Sequence, residues 1–325
     1  MRAPTLCRVG TSIFSQFLRR GYSTETSNIL TIDINAPNAG KVRVISLVCD
    51  PGAMNRGPAR NAISRQFLKD LRQAIDRIHS EYDLHEKELP TPSKRSPLSR
   101  SGPTTRALII ASEVDSCFCT GADSIEHENF TPEEASSFGA ELRSTFNSIS
   151  NLPIPSISAV SSIAFGHGLE LALCTNLRVL TSNAEVGLPE IRHGTIPSAG
   201  GTLRLPALIG KSRAQDLILT GRKVSGQEAL SLGLANRLLD VTPHENESNS
   251  KFMSRVKEEV LQAAIILAFE ICEGGPLAIF GALNAIDSDS EEIENQIYER
   301  LTKTNDRIEG LLALKEKRKP LFTGR

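Results

Sequence analysis

Between Arg106 and Ala111 the chain reads Arg-Ala-Leu-Ile-Ile-Ala, an almost unbroken apolar run too short for an ordinary helix. Such a run is a strand buried on both faces, so its sheet needs covering layers above and below. The flanking sequence supplies them. Ile29 to Ile34 and Val42 to Val48 alternate apolar and polar residues around the turn-forming Asn35-Ala-Pro-Asn-Ala-Gly40, which reads as a β-hairpin. Asn61-Ala-Ile-Ser64 leads into a helix carrying Phe67, Leu71, Ile75 and Ile78 on one face. Thr131-Pro-Glu-Glu134 opens another, with N-cap, N1 proline and capping-box glutamate, and Phe138, Leu142, Phe146 and Ile149 form its apolar stripe. Strands at Ile157 to Val160 and Leu177 to Leu180 bracket a short helix from Gly168 to about Cys174. Ser225-Gly-Gln-Glu228 is a second capping box, and its helix stops at Gly233. The expected fold class is α/β.

The two ends differ from this core. Arg2, Arg8, Arg19 and Arg20 precede the first acid, Glu25, and hydroxyls alternate with Ile13, Phe14, Phe17 and Leu18. A basic, acid-free amphipathic start of this kind, over 1–22, reads as a mitochondrial transit peptide and hence a matrix address; a basic tail without an address is the alternative. The core is expected over 23–240, with a flexible insertion at 84–105 where Pro90, Pro92, Pro97 and Pro103 sit among Ser, Lys and Arg. Over 241–325 strand signals stop and helical patterns run from about Lys251 to Leu314. Glu291 to Arg300 is too polar to build a core of its own, so this region must pack on the core or on another subunit.

Composition excludes several classes. Lys+Arg 37 against Asp+Glu 38 leaves a formal charge of -1, which gives no global field for nucleic acid or membrane. The longest wholly apolar run, Ala263 to Phe269, is far short of the ~20 residues of a spanning helix. The six cysteines form no C-x-x-C pair, and the six histidines form no H-x-x-x-H or H-E-x-x-H, so a zinc site has no candidate ligands by spacing.

Two glycine-bearing segments, each with a glutamate, remain for chemistry. One is Gly166-His-Gly-Leu-Glu170; the other is Gly187-Leu-Pro-Glu190, followed by Gly194-Thr-Ile-Pro197 and Gly200-Gly-Thr202. The first is not a dinucleotide fingerprint, because Leu171 stands where the third glycine belongs. Glycines before a helix instead leave backbone N–H groups unobstructed, an uncharged donor set suited to a developing oxyanion. A second donor is available from Cys119-Thr-Gly-Ala-Asp123, where a strand end meets another glycine.

Together, Phe118-Cys-Thr-Gly-Ala-Asp123, Pro153-x-Pro155, Gly166-x-Gly-x-Glu170-Leu-Ala172, Gly187-x-Pro-Glu190, Gly194-x-Ile-Pro197 and Gly200-Gly-Thr202 resemble the crotonase (enoyl-CoA hydratase/isomerase) superfamily, from about Ile29 to Arg325. Ser112-Glu-Val114 and Asn305 to Arg318 resemble its methylglutaconyl-CoA hydratases of leucine breakdown. The resemblance implies a spiral of ββα units, a helical C-terminal trimerisation region, and homotrimers or homohexamers. It implies hydration of an enoyl-CoA thioester, with Glu190 exchanging the C2 proton and Glu170 binding and deprotonating water. The backbone N–H groups of Ala122 and His167 would form the oxyanion hole. Ala59, Arg60, Ala62, Asp123, Ser124, Ile125 and Lys317 would contact CoA or substrate. No redox cofactor or metal is implied, CoA being part of the substrate.

His167 stands where the family has glycine, Thr175-Asn176 replaces Cys-Asp, and Leu203 and Leu314 replace Gln and Phe. These departures bear on substrate choice, and a ring of His167 acting as base is the minority alternative. Two other functions stay open. One is a Δ3,Δ2-enoyl-CoA isomerase; the other is RNA binding through Arg65, Lys69, Arg72 and Arg77, with Lys94, Arg95 and Arg100.

Overall fold

The computed structural model describes residues 28–48, 61–83, 91–92 and 104–325. The expected leader lies outside these residues, as does the expected insertion apart from 91–92, 104 and 105. In chain order the strands and helices are β1 (Ile29–Asn35), β2 (Lys41–Leu47), α1 (Arg65–His79), β3 (Tyr82–Asp83), β4 (Thr91–Pro92), β5 (Thr105–Ser112), β6 (Cys117–Cys119), α2 (Ser124–His127), α3 (Pro132–Ser150), β7 (Ser156–Val160), β8 (Ile163–Phe165) and α4 (His167–Leu173). They continue with β9 (Leu177–Thr181), β10 (Glu185–Gly187), α5 (Gly201–Ile209), α6 (Lys211–Thr220), β11 (Lys223–Ser225), α7 (Gly226–Leu232), β12 (Arg237–Leu239), α8 (Asn249–Cys272), α9 (Pro276–Ser288), α10 (Glu291–Leu301) and α11 (Asn305–Glu316).

Two sheets carry the architecture. The larger runs β1-β2-β5-β7-β9-β12 and the smaller β11-β10-β8-β6. The β1–β2 hairpin is antiparallel, and every later neighbour in the larger sheet is parallel. Consecutive strand pairs β5/β6, β7/β8 and β9/β10 each place one strand in each sheet and then pass into helix. This is the expected spiral of ββα units.

The strand alternation has two buried destinations. From β2 and β5, Ile45, Leu47, Leu108 and Ile110 face the main core with the α1 and α3 stripes. Val42, Val44, Ala107 and Ile109 face the other side, where α8 covers them with Val260, Ala264, Leu267 and Ala268. That explains the unbroken apolar run at 106–111: both sides of the strand are lined. The first C-terminal helix is therefore part of the core. No single helix among the described residues is long and apolar enough to cross a membrane.

Helix ends follow local chemistry. Ser64 accepts the Phe67 N–H, and Thr131 and Glu134 complete the expected reciprocal capping box. At Ser225 only half of the expected box forms. Its hydroxyl accepts the Glu228 N–H, while the Glu228 carboxylate turns to Arg222 at 2.8 Å, a charged partner stronger than a backbone amide. Gly233 ends that helix in the left-handed region, as expected.

The basic face of α1 is partly neutralised. Arg65 pairs with Glu126 and Glu134 and lies over the Phe130 ring, and Arg72 pairs with Asp76. Arg143 and Arg204, from α3 and α5, hold the 198–201 loop by donating to the Ser198 and Ala199 carbonyls.

Candidate active site

The turn from β8 into α4 needs both its glycines. Gly166 sits at φ 54 ψ -128, and a Cβ there would lie 3.1 Å from Glu190 Oε1. A Cβ on Gly168 would lie 2.1 Å from the Cys119 carbonyl oxygen, so α4 rests directly on the end of β6. This close approach brings three segments together: the β6 end, the α4 start and the 3₁₀ turn Glu190–His193 after β10.

Glu170, on α4, is fully buried. Its Oε1 accepts the Ala199 N–H at 2.8 Å and the Gly201 N–H at 2.7 Å, which fixes the carboxyl plane. Its Oε2 has no hydrogen-bond partner among the described residues, and neither does Oε1 or Oε2 of Glu190. Burial pushes the Glu170 carboxyl up to about 7, the two amide donors and Arg204 pulling against it and Glu190 adding to it. Burial likewise raises Glu190, opposed in part by His193. Two carboxyls with raised affinity for protons thus lie side by side.

The ring of His167 is the third member. Its Nε2 lies 3.1 Å from Ser198 Oγ and 3.7 Å from Glu170 Oε2. Burial, with a smaller contribution from His127, lowers its pKa to about 4, so the imidazole is neutral at pH 7. A neutral ring that shares Ser198 is poorly suited to be the principal base beside two carboxyls.

The backbone donors lie close by. Ile63 N–H donates to the Gly121 carbonyl at 2.8 Å and Asp123 N–H to the Ile63 carbonyl at 3.2 Å. In such a parallel bridge the Ala122 N–H faces away from Ile63. The His167 N–H opens α4 and has no intrahelical acceptor. Gly121, at φ +101, would put a Cβ 3.4 Å from His167 N, so the two segments run side by side.

The other residues expected at the site are placed less evenly. Ala59 and Arg60 lie outside the described residues, as do the side chains of Ser124 and Ile125. Ala62 is half-buried beside the bridge, and Asp123 Oδ1 accepts the Glu126 N–H at the start of α2. Lys317 caps α11 in the left-handed region and is exposed; no contact among the described residues joins it to the glutamates. Leu203 and Leu314, read as departures near CoA, are 75% and 76% exposed.

Sequence reasoning overlooked several contributors. Ser198, the Ala199 and Gly201 amides, and Arg204 all orient the pocket, and the available signal was Gly200-Gly201, whose first glycine adopts φ 105. His127 was overlooked as well; its ring packs 4.7 Å from those of Phe130 and Phe138, and its Nε2 is buried without a partner. No spacing motif marks a further cluster that folding forms here. His167, Glu170 and Glu190 offer ligand atoms all within 4.8 Å of one another, brought together by folding and not by motif spacing.

Two mostly parallel sheets built from ββα units, with paired carboxyls beside unobstructed amides at a strand-to-helix turn, define a crotonase-type enzyme. Residues 99–325 match the enoyl-CoA hydratase/isomerase family. A methylglutaconyl-CoA hydratase 1, mitochondrial, of Pyricularia oryzae is 50% identical, covering 94% of this chain and 90% of that protein. An enoyl-CoA isomerase/hydratase of Zymoseptoria tritici is 48% identical over 92% of this chain and 89% of its own length. The crystal structure of an enoyl-CoA hydratase from Bacillus anthracis superposes with a TM-score of 0.74 at 31% identity, covering 92% of this chain and all of that one. The chain belongs to the enoyl-CoA hydratase/isomerase family.

Proposed function

We propose that the chain adds water across the 2,3 double bond of an enoyl-CoA thioester, with 3-methylglutaconyl-CoA the substrate, in the mitochondrial matrix. The observation that carries the reading is the pair Glu170 and Glu190, adjacent carboxyls with three buried oxygens that have no partner among the described residues. The Ala122 and His167 N–H groups polarise the thioester oxygen and take up the charge that develops there. Glu170, ionised and held by two amides, accepts a proton from water as its oxygen bonds to C3. Glu190, whose proton affinity burial raises, delivers a proton to C2 when it is in its protonated form. Proton passage from Glu170 to Glu190 restores the starting state, and no oxidation state changes.

The acyl assignment and the mitochondrial address are supported by the name of the 50%-identical relative. CoA is bound by Ala59, Arg60, Ala62, Asp123, Ser124 and Ile125 in this reading, with Lys317 meeting the CoA phosphates. Exposed apolar residues on α9 to α11, among them Ile286, Tyr298, Ile308 and Leu314, support burial of these helices between subunits of a homotrimer or homohexamer. The test is a panel of enoyl-CoA thioesters, including 3-methylglutaconyl-CoA, monitored for loss of conjugated absorbance. Fastest turnover with that substrate is expected. Double-bond migration without water uptake would instead establish the isomerase reading, which the Zymoseptoria relative's name keeps in play.

A further inference from the structure

The His167 ring, Glu170 and Glu190 meet in a way that hydration alone does not require. His167 Nε2 and Glu170 Oε2 are 3.7 Å apart, near the ~3.4 Å between two ligands of tetrahedral zinc with bonds of ~2.1 Å. All three residues offer a ligand atom within a 4.8 Å cluster. Glu170 is fully buried with Oε2 unpartnered, and both Glu190 oxygens are likewise buried and unpartnered. Among the described residues no Lys or Arg pairs with them: Arg204 donates to the Ala199 carbonyl and Asn147 Oδ1, not to either glutamate. Two buried carboxylates and one neutral imidazole form a charge-balanced donor set for a divalent ion of borderline softness.

We propose that His167 Nε2, Glu170 Oε2 and one oxygen of Glu190 form a reversible zinc-binding site between the two catalytic glutamates. Zinc binding requires the tautomer with its lone pair on Nε2, replaces that atom's contact with the Ser198 hydroxyl, and leaves a fourth coordination position open. The site differs from one that keeps its metal. His167 Nδ1 has no hydrogen-bond partner among the described residues, which supply no second interaction of the kind that orients resident zinc ligands. Binding weaker than at a resident zinc site follows. Resting on the hydration mechanism proposed above, a filled site inhibits, because the metal occupies the lone pairs that water and the C2 proton need.

Isothermal titration of the full chain with zinc chloride in a non-chelating buffer tests the site. One ion per chain is expected, with affinity falling at least tenfold in both His167→Gln and Glu190→Gln, each checked for native circular dichroism. Titration with cobalt(II) separates this set from the cysteines, since nitrogen and oxygen ligands give no sulfur-to-metal charge-transfer band. Absence of binding, unchanged affinity in either folded variant, or a sulfur-to-cobalt band overturns the proposal. Hydration measured alongside should fall in step with occupancy. Zinc bound at this site with hydration intact would leave the site standing and overturn the catalytic role given to the two glutamates.

Discussion

Replacing Glu170 by Gln should make the protein less active and more stable, with the stability gain growing as pH rises from 4.5 to about 7 and level above that. The glutamine carbonyl fits the place of Oε1, where it keeps the Ala199 and Gly201 N–H bonds at 2.8 and 2.7 Å. What it removes is the ionisable carboxyl. Burial raises that carboxyl from its ordinary value of 4.5 to about 7, a rise worth about 3 kcal/mol. Because the folded state holds this proton more tightly than the unfolded state, the contribution to stability is full below pH 4.5 and is lost as pH rises through 7. Above pH 7 the wild-type chain must keep a costly ionised carboxylate buried, and the glutamine variant does not. Relative to wild type, Glu170→Gln should therefore gain about 3 kcal/mol between pH 4.5 and pH 8 as an upper figure, while turnover falls ~10²–10⁴-fold. Urea denaturation followed by circular dichroism, at one protein concentration and at both pH values, reads the difference. An offset between variant and wild type that is the same at both pH values would refute the reasoning.

Three further outcomes follow from the same geometry. The kcat/KM of the wild-type chain should fall as pH drops through about 7, because Glu170 must be ionised to accept the water proton, and Glu170→Gln should lose that limb. Gly201→Ala places a Cβ 2.9 Å from Glu170 Oε1 and from Pro197, so kcat should drop at least ~10-fold in a protein that still folds; near-wild-type kcat would contradict the placement of the carboxyl. Tyr298→Glu combined with Leu314→Glu should shift the assembled species to a smaller mass in light scattering, and an unchanged mass would remove these helices from the subunit interface.

The parts of the fold readable in the sequence are those whose signal is local. The β1–β2 hairpin follows from alternation and a turn, and α1 and α3 follow from stripes at helical spacing with caps at Ser64 and Thr131. The smaller sheet was less legible, because strands such as Glu185–Gly187 and Lys223–Ser225 are three residues long and hold their shape through neighbours. Contact of α8 with Val44 and Ile109 is likewise a tertiary fact, which left its partner open between the core and another subunit. At the site, Glu170 and Glu190 were found through resemblance of their motifs. The Ser198 contact to His167 and the amides that hold Glu170 come from a loop about thirty residues downstream, and no spacing rule connects them.

The most direct measurement is the rate of hydration of 3-methylglutaconyl-CoA by the wild-type chain, Glu170→Gln, Glu190→Gln and the double variant, followed as loss of conjugated-thioester absorbance. If both carboxyls act on one water, each single variant loses ~10²–10⁴-fold in kcat and the double variant loses little more than either. Near-full turnover in either folded single variant, or losses that multiply in the double variant, would contradict the shared-water account.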